Sequence, residues 1–364
     1  MKKRGNNLGK FLKIVFIVLS LFMTLEIVSA VECGSVPTDG CDVTQDTTFD
    51  TGTYNFPSGI SMGANSITLD CNGSTLIGSG SGDGINTQGS DNSIIANCTI
   101  QNYSNGIFIT YTGSCGYPGS TIDKSDSNII KNNTLKENSK GLWSLGASCS
   151  GGEQYHNLNN QLIGNTIKDN GDGVELQRSD FTNITLNTFQ NNSNGVDLFY
   201  KVNSNNIFSN NFVDNANQAS DSETGNYWNS TEGGNYWNNY DSEAEGCYDS
   251  NSNLICDSPY NISGSAGSKD YLPLLGIQIL NILPIQVVPD VDMVKDKTTL
   301  VRATLKNSAT SSKNINVSLY FEGNLEYTND TASIGAGQEI NVNLWFVPNV
   351  AGSNKEIRVD IEEI

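Results

Sequence analysis

Between about residues 65 and 220, polar and apolar positions fall into one recurring phrase. A short apolar strand meets an Asn, a second short strand meets another Asn or Asp, and a Gly then opens a third strand. It runs SDNSIIANCTIQNYSNGIFI from Ser90, SDSNIIKNNTLKENSKGLWSL from Ser125, NNQLIGNTIKDNGDGVEL from Asn159, FTNITLNTFQNNSNGVDL from Phe181 and NSNNIFSNNFVDNANQA from Asn203. The third-strand glycines are Gly84, Gly106, Gly141, Gly173 and Gly195, at spacings of 22, 35, 32 and 22. Three short strands in a turn of about 22 residues predict a right-handed parallel β-helix, whose coils bury apolar side chains against the coils above and below. One interior ladder should hold Ile100, Leu135, Ile167, Phe189 and Phe212, and another Ile107, Leu142, Val174 and Val196. Asn suits the corners on two counts: it tolerates left-handed backbone, and its stacked side chains can bond along the ladder.

The two long spacings mark insertions, around TYTGSCGYPGSTIDK and GASCSGGEQYHN, which should leave the helix on the same side. Each carries one cysteine, so matched position makes Cys115 to Cys149 the best-supported disulfide. Cys247 and Cys256 close a short loop and form the next pair. Cys33 with Cys41, and Cys71 with Cys98 on neighbouring corners, follow more weakly. All eight cysteines lie beyond Ala30, which fits an oxidising compartment.

After the coils come the tandem copies Gly225-Asn-Tyr-Trp228 and Gly234-Asn-Tyr-Trp237 in an aromatic, turn-rich stretch. An open β-helix end exposes strand edges and core, so this stretch reads as its cap. From Gly276 onward the Asn corners give way to alternation with β-branched residues, as in TTLVRATLKN, NINVSLYFEG and QEINVNLWFVP. That pattern predicts about seven strands of a β-sandwich. The expected fold class is therefore all-β: a right-handed parallel β-helix followed by a small immunoglobulin-like β-sandwich. The expected divisions are 1–30, a signal peptide; 31–224, the β-helix with its N-terminal cap; 225–275, the C-terminal cap; and 276–364, the sandwich.

Residues 1–30 join a cationic start to an apolar core from Ile14 to Leu25 and a small-residue cleavage site, Val28-Ser29-Ala30. That core is too short to span a bilayer comfortably, with an uncleaved anchor as the alternative. No second apolar run of spanning length follows, so no transmembrane anchor is expected after cleavage. The reading is a secreted or cell-surface protein.

Charge narrows the partners. The chain has 20 basic and 39 acidic residues, a net of −19, and without the first thirty residues 15 basic face 38 acidic. Such a surface repels phosphate backbones and anionic lipid, which argues against nucleic acid and favours cations and glycans.

The coil phrases, SITLDCNGSTLIG from Ser66, and the endings GGNYWNNYD and SPYNISGSAGSKDYLPL together resemble the NosD-type parallel β-helix family, including its archaeal surface proteins, over about residues 33–275. The C-terminal stretch resembles a cell-adhesion-related, CARDB-type immunoglobulin-like domain. The NosD resemblance brings a copper association. Copper sites draw on His, Cys and Met. Here His156 is the single histidine, only Met62 and Met293 follow the leader, and the cysteines look paired, so no copper is expected.

Three constellations could carry chemistry. Asp249, Asn251, Asn253 and Asp257 occupy positions 1, 3, 5 and 9 of a loop that resembles the start of an EF-hand-like calcium loop, with Leu254 where its glycine would stand. The bland alternative is a polar loop held by the 247–256 disulfide; the calcium reading is weak and structural. Next, Asn86, Phe108, Trp143, Glu175 and Asp197 should stack along the outward face of the third strands, about 4.8 Å per rung. Phe108 and Trp143, with Tyr111, Tyr117 and Tyr155 from the insertions, could contact a glycan. Glu175 and Asp197, roughly 5 Å apart, could serve retaining glycoside hydrolysis. Arg178 and Lys201 are the nearby cations a polysaccharide lyase would need. Finally, ten Asn-X-Ser/Thr sequons occur, with Asn316 and Asn329 on the sandwich the better glycosylation candidates.

The leading reading is a surface scaffold or adhesion-type protein that contacts a polysaccharide or cell-envelope component. The rival is a carbohydrate-active enzyme using Glu175 and Asp197, and a third role is purely structural. Oligomeric state is left open by the sequence. Non-reducing peptide mapping is expected to link Cys115 to Cys149; free thiols there would refute the coil register.

Overall fold

The computed structural model describes residues 31–114, 121–149, 151–231, 233–251, 255–275, 299–306, 313–321, 324–335, 338–347, 349 and 357–363. Within them the first part of the chain winds into a parallel β-helix of three sheets. A long-strand sheet runs in eight rungs from Asp42–Val43 to Asn217–Asp221. A second sheet has seven rungs, from Thr47–Thr48 to Asn206–Phe208, and a third has eight, from Thr53–Asn55 to Tyr236–Trp237. Both expected interior ladders form: Ile100, Leu135, Ile167, Phe189 and Phe212 are register partners, as are Ile107, Leu142, Val174 and Val196, and all are fully buried.

From Asn128 onward, corner Asn side chains bond to backbone one coil away. Between the second and third sheets Cys98 N donates to Asn133 Oδ1, Asn133 N to Asn165 Oδ1, Asn165 N to Asn187 Oδ1 and Asn187 N to Asn210 Oδ1, each at 2.9 Å. Each Asn Nδ2 also donates back to a carbonyl of the preceding coil, as Asn187 does to Leu162 O at 2.8 Å. Asn138, Asn170, Asn192 and Asn215 repeat the pattern at the next corner. The left-handed residue is the one before the ladder Asn: Asn132, Leu186 and Ser209 have φ of 55°, 61° and 56°. The two virtues that single out Asn thus belong to two adjacent positions, and only the bonding one requires Asn.

The third-strand glycines meet a different constraint. A Cβ on Gly106, Gly141 or Gly173 would lie 2.5, 2.6 and 2.3 Å from the carbonyl oxygen of the next coil's glycine. Close backbone approach, not left-handed geometry, fixes them.

Each GNYW copy lengthens the helix and closes it. Tyr227 bridges Asn206, and Tyr236–Trp237 adds the last rung of the third sheet. Asn226 receives Asn205 N, and its Nδ2 reaches Asp221 Oδ1, while Trp228 Nε1 donates to Asp221 Oδ2 at 3.0 Å. Asn235 receives Asn210 N, and its own N–H donates to Asp270 Oδ2 at 2.6 Å, beside Trp237 Nε1 at 3.0 Å. These two ladders therefore end on a buried carboxylate that also takes an indole N–H, whereas the ladder through Asn192 ends at Asn215, whose Nδ2 donates to Gln218 Oε1 at 2.8 Å. Burial pushes the Asp270 carboxyl up to about 6, against the pull of donors from Asn235, Trp237 and Leu272. The aliphatic column becomes aromatic here, with Phe212 on Trp237 at 4.3 Å and Trp237 on Tyr260 at 4.2 Å between ring centroids.

Disulfides join Cys33 to Cys41, Cys71 to Cys98 and Cys247 to Cys256, with Cα atoms 5.0, 4.8 and 4.9 Å apart. Cys149 is disulfide-bonded, and Cys115 lies outside the described residues. Both insertions form hairpins beyond strands of the long-strand sheet: Thr112–Ser114 with Thr121–Asp123, and Ala147–Ser148 with Gln154–Tyr155.

In the C-terminal part Thr299–Lys306 pairs with Glu339–Phe346, and Lys313–Phe321 lies between Asn324–Ile334 and Ile357–Glu363, all antiparallel. Ile315, Val317, Leu319 and Phe321 are buried on one face, as are Val342, Leu344 and Phe346. The rings of Phe321 and Phe346 lie 5.1 Å apart, so the two sheets share a core, as a small β-sandwich requires. Residues 1–30, where the signal peptide is expected, and residues 276–298 lie outside the described residues.

Asn187 is buried and joined to both neighbouring coils. Asn187→Ala strands several buried groups, at about 1–3 kcal/mol each. Urea unfolding is expected to show a loss of about 2–4 kcal/mol.

Candidate functional site

The long-strand sheet carries the candidate residues because its strands are longest and its outward positions stay in register from coil to coil. Asn86, Phe108, Trp143, Glu175, Asp197 and Ser220 are successive partners. Phe108 stacks on Trp143 with centroids 4.7 Å apart and planes 16° apart. Lys140 Nζ lies 5.3 Å from the Trp143 centroid and pairs with Asp172 Oδ2 at 3.4 Å and with Glu175 Oε2. The Trp143 ring is thus held between the preceding coil's Phe108 and a lysine that reaches toward the following coil. Its Nε1 is buried and makes no hydrogen bond among the described residues.

The spacing places Glu175 beside Asp197, and their surroundings differ. Glu175 is 6% exposed, engaged by Lys140 on one oxygen and by Gln177 Nε2 on the other. Asp197 is half-buried, and its carboxyl is raised above the ordinary range by burial, with the Glu175 and Asp172 charges adding to the rise. The Ser220 hydrogen bond and Lys140 oppose that rise. Chemically, Asp197 is a carboxyl raised above its ordinary range by burial, next to the Glu175 side chain, which is nearly closed off from solvent.

Lys140 and Asp172 went unnoticed in the sequence, although a signal was present. They occupy the position just before the recurring glycine, and that position stacks as Asp83, Asn105, Lys140, Asp172, Asn194 and Asn217. Asn105 Nδ2 donates to Asp83 Oδ1 at 2.8 Å, and Asn194 Nδ2 to Asp172 Oδ1 at 2.7 Å. A column of amides and carboxylates is interrupted by one cation, which the neighbouring acids draw in.

The other expected residues lie around this stripe. Tyr111 is half-buried just past the Phe108 strand, and Tyr155 lies on the second hairpin with its hydroxyl donating to Glu153 Oε2 at 2.9 Å. Tyr117 lies outside the described residues. Arg178 and Lys201 turn to Tyr200 rather than to Glu175 and Asp197, at 4.9 and 5.4 Å from its ring centroid. In the cap loop Asp257 Oδ2 accepts Ser250 N–H at 3.1 Å, while Asn253 lies outside the described residues with Leu254. Among the described residues, no three His, Cys, Asp or Glu side chains gather as a metal site. The Asn316 side-chain oxygen on the sandwich is buried without a partner among the described residues, whereas the corner sequons Asn102, Asn132 and Asn191 are exposed.

Fold and face together define a parallel β-helix repeat protein. The family described as periplasmic copper-binding protein (NosD) matches residues 114–242. No curated protein matches the chain. Among solved structures, the enzymatically active domain of tailspike protein 2 of bacteriophage CBA120 is similar at 12% identity and a TM-score of 0.26, covering 90% of this chain and 66% of that one. The tailspike protein of Acinetobacter baumannii phage AM24 is similar at 8% identity and a TM-score of 0.24, covering 92% and 63%. The chain spans somewhat under two thirds of these tailspike chains.

Copper donors are few among the described residues: Met62 is 1% exposed, no described cysteine is free, and His156, with Nδ1 2.8 Å from Asp180 Oδ2, offers one imidazole nitrogen, Nε2.

A raised carboxyl destabilises the fold once it ionises, so the Asp197 contribution is present in acid and is lost as pH rises through its folded value. Asp197→Asn is expected to raise Tm at pH 7, and the gain should fade as pH drops through the ordinary aspartate range near 4. Scanning fluorimetry across pH measures it; an unchanged difference across that range would mean the carboxyl titrates as in the unfolded chain.

Proposed function

We propose that this chain is an exported scaffold that presents the long-strand face of its β-helix, with the two hairpins beyond it, to saccharide at the cell envelope or outside it. The observation that carries the reading is the Phe108–Trp143 pair set beside Lys140, Asp172, Glu175 and Asp197. Sugars are recognised by apolar ring edges and faces next to fixed hydrogen-bonding groups, and a register-locked sheet holds both without further ordering cost. The disulfides support an oxidising compartment, where such bonds persist. Among the described residues no helix is long and apolar enough to cross a membrane. A calcium ion in the loop of Asp249, Asn251, Asn253 and Asp257 would serve the cap rather than this face.

One observation favours a second reading, glycoside hydrolysis: the raised Asp197 carboxyl beside Glu175. The engagement of Glu175 by Lys140 and Gln177 weighs against it, because a nucleophile must be reached by its substrate.

A single assay separates the two. Residues 31–364 are incubated with a panel of neutral and acidic polysaccharides, and both retention and new reducing ends are measured. Retention without new ends is expected, weakened about 5- to 30-fold by Trp143→Ala as one aromatic contact is lost. New ends that vanish with Glu175→Gln or Asp197→Asn would make the chain an enzyme, and unaltered retention in Trp143→Ala would move the contact elsewhere.

A further inference from the structure

Residues 31–275 contain only eight cations against 27 carboxylates, and where the cations go is informative. Lys124 pairs with Asp126, Lys136 with Glu137, and Lys140 with Asp172 and Glu175. Arg178 and Lys201 make no ion pair among the described residues, yet both lie against one ring, that of Tyr200. They occupy the same corner on adjacent coils, since Arg178 N–H donates to Tyr200 O at 2.8 Å. Both have left-handed backbone, with φ of 49° and 51°; Lys201 is exposed and Arg178 half-buried.

The nearby carboxylates are committed to other donors. Glu223 Oε1 accepts the backbone N–H of Lys201, Asp180 takes His156 and the backbone N–H of Asn203, and Glu153 takes the Tyr155 hydroxyl. Arg178 directs Nε to the neutral Gln154 Oε1 at 2.7 Å. That bond orients the guanidinium and leaves its two terminal nitrogens, the fork that grips a carboxylate in two places. The Tyr200 ring is 40% exposed, and Phe199 beside it in sequence is 53% exposed. Two like charges on one ring repel each other, and an anion set between them relieves that repulsion locally, against the acidic field of the rest of the protein.

We infer that the Arg178–Tyr200–Lys201 corner binds the carboxylate of an acidic saccharide, a uronate unit, with the exposed aromatics against the sugar ring. The site is distinct from the Phe108–Trp143 stripe but lies on the same sheet. The inference rests on the saccharide-contact reading and narrows it to an acidic polymer.

The test compares trigalacturonate with its methyl ester, which keeps the rings and removes the charge. Titration calorimetry on residues 31–364 is expected to show the acid binding at least tenfold more tightly than the ester. Lys201→Gln and Arg178→Gln should each cut affinity for the acid about tenfold and leave the ester unchanged. Gln already holds this kind of backbone at position 88, with φ of 47°, and Lys201 is exposed, so both variants are expected to keep the parent Tm. Equal binding of acid and ester, or acid binding indifferent to both substitutions, overturns the uronate site while leaving saccharide contact standing. Tight binding of dextran sulfate with none of trigalacturonate overturns the carboxylate assignment in favour of sulfate. Failure of acid, ester and every polymer in the retention panel overturns both readings together.

Discussion

From Ser93 onward the coils depend on a side-chain amide that answers the backbone of its neighbours. Serine hydroxyls take that task in the coils before it, where Gly52 and Ile67 donate to Ser74 and Ser93. A parallel coil turns through three corners, and each corner buries an N–H that no strand pairing reaches. Asn supplies an acceptor to one coil and a donor to the other from the same short side chain, so one residue type satisfies both. Thr182 shows the contrast. It takes a ladder position, its own N–H is satisfied by Asn205 Oδ1, and its hydroxyl oxygen is left buried without a partner among the described residues. The interior ladders of Ile, Leu, Val and Phe supply the burial, but apolar contact has no register, and the amides set it.

The outer face inherits that register. The glycine column brings successive backbones together, the residue before it lines up amides and acids, and the residue two places after it lines up the Phe108 to Asp197 stripe. A single lysine inserted into the acidic column gathers Asp172 and Glu175 and covers one side of Trp143. One corner further along, the Arg178 and Lys201 side chains make no ion pair among the described residues and rest on Tyr200, with Glu223 held on the Lys201 backbone N–H. A cation beside an aromatic ring therefore gives a closed cluster with acids in excess at one place and an open cationic one at the other, according to the column each falls in.

Most of the architecture was legible in the sequence because repetition repeats its reasons. The ladders, the coil register, the side on which the insertions leave and the Cys71–Cys98 pair followed from aligned phrases, and the Cys247–Cys256 pair from its short loop. What stayed hidden does not recur. Asp221 and Asp270 end the ladders from beyond the repeat, and nothing periodic marks them. Lys140 reaches sideways to a neighbouring column, and a linear reading sees only that it precedes a glycine. Arg178 and Lys201 were noticed as the nearest cations in sequence to Glu175 and Asp197, but their left-handed corner carries them away from that pair. The double role given to Asn at the corners also divides in space, because the left-handed residue and the bonding residue are adjacent, not identical.

The amide ladders have a direction. Each backbone N–H points to the following coil, so the array delivers one unanswered donor at its C-terminal end and none at its start, where Cys98, Tyr103 and Ser93 simply feed it. In the ladder that starts at Cys98 a carboxylate, Asp270, answers that end, since it accepts without donating and its charge opposes the aligned dipoles, as an acid does at a helix start. Whole coils between Cys98 and Asn235 could be duplicated or lost without altering the chemistry at either terminus. Length is thereby a free variable for this molecule, while the composition of its far end is not.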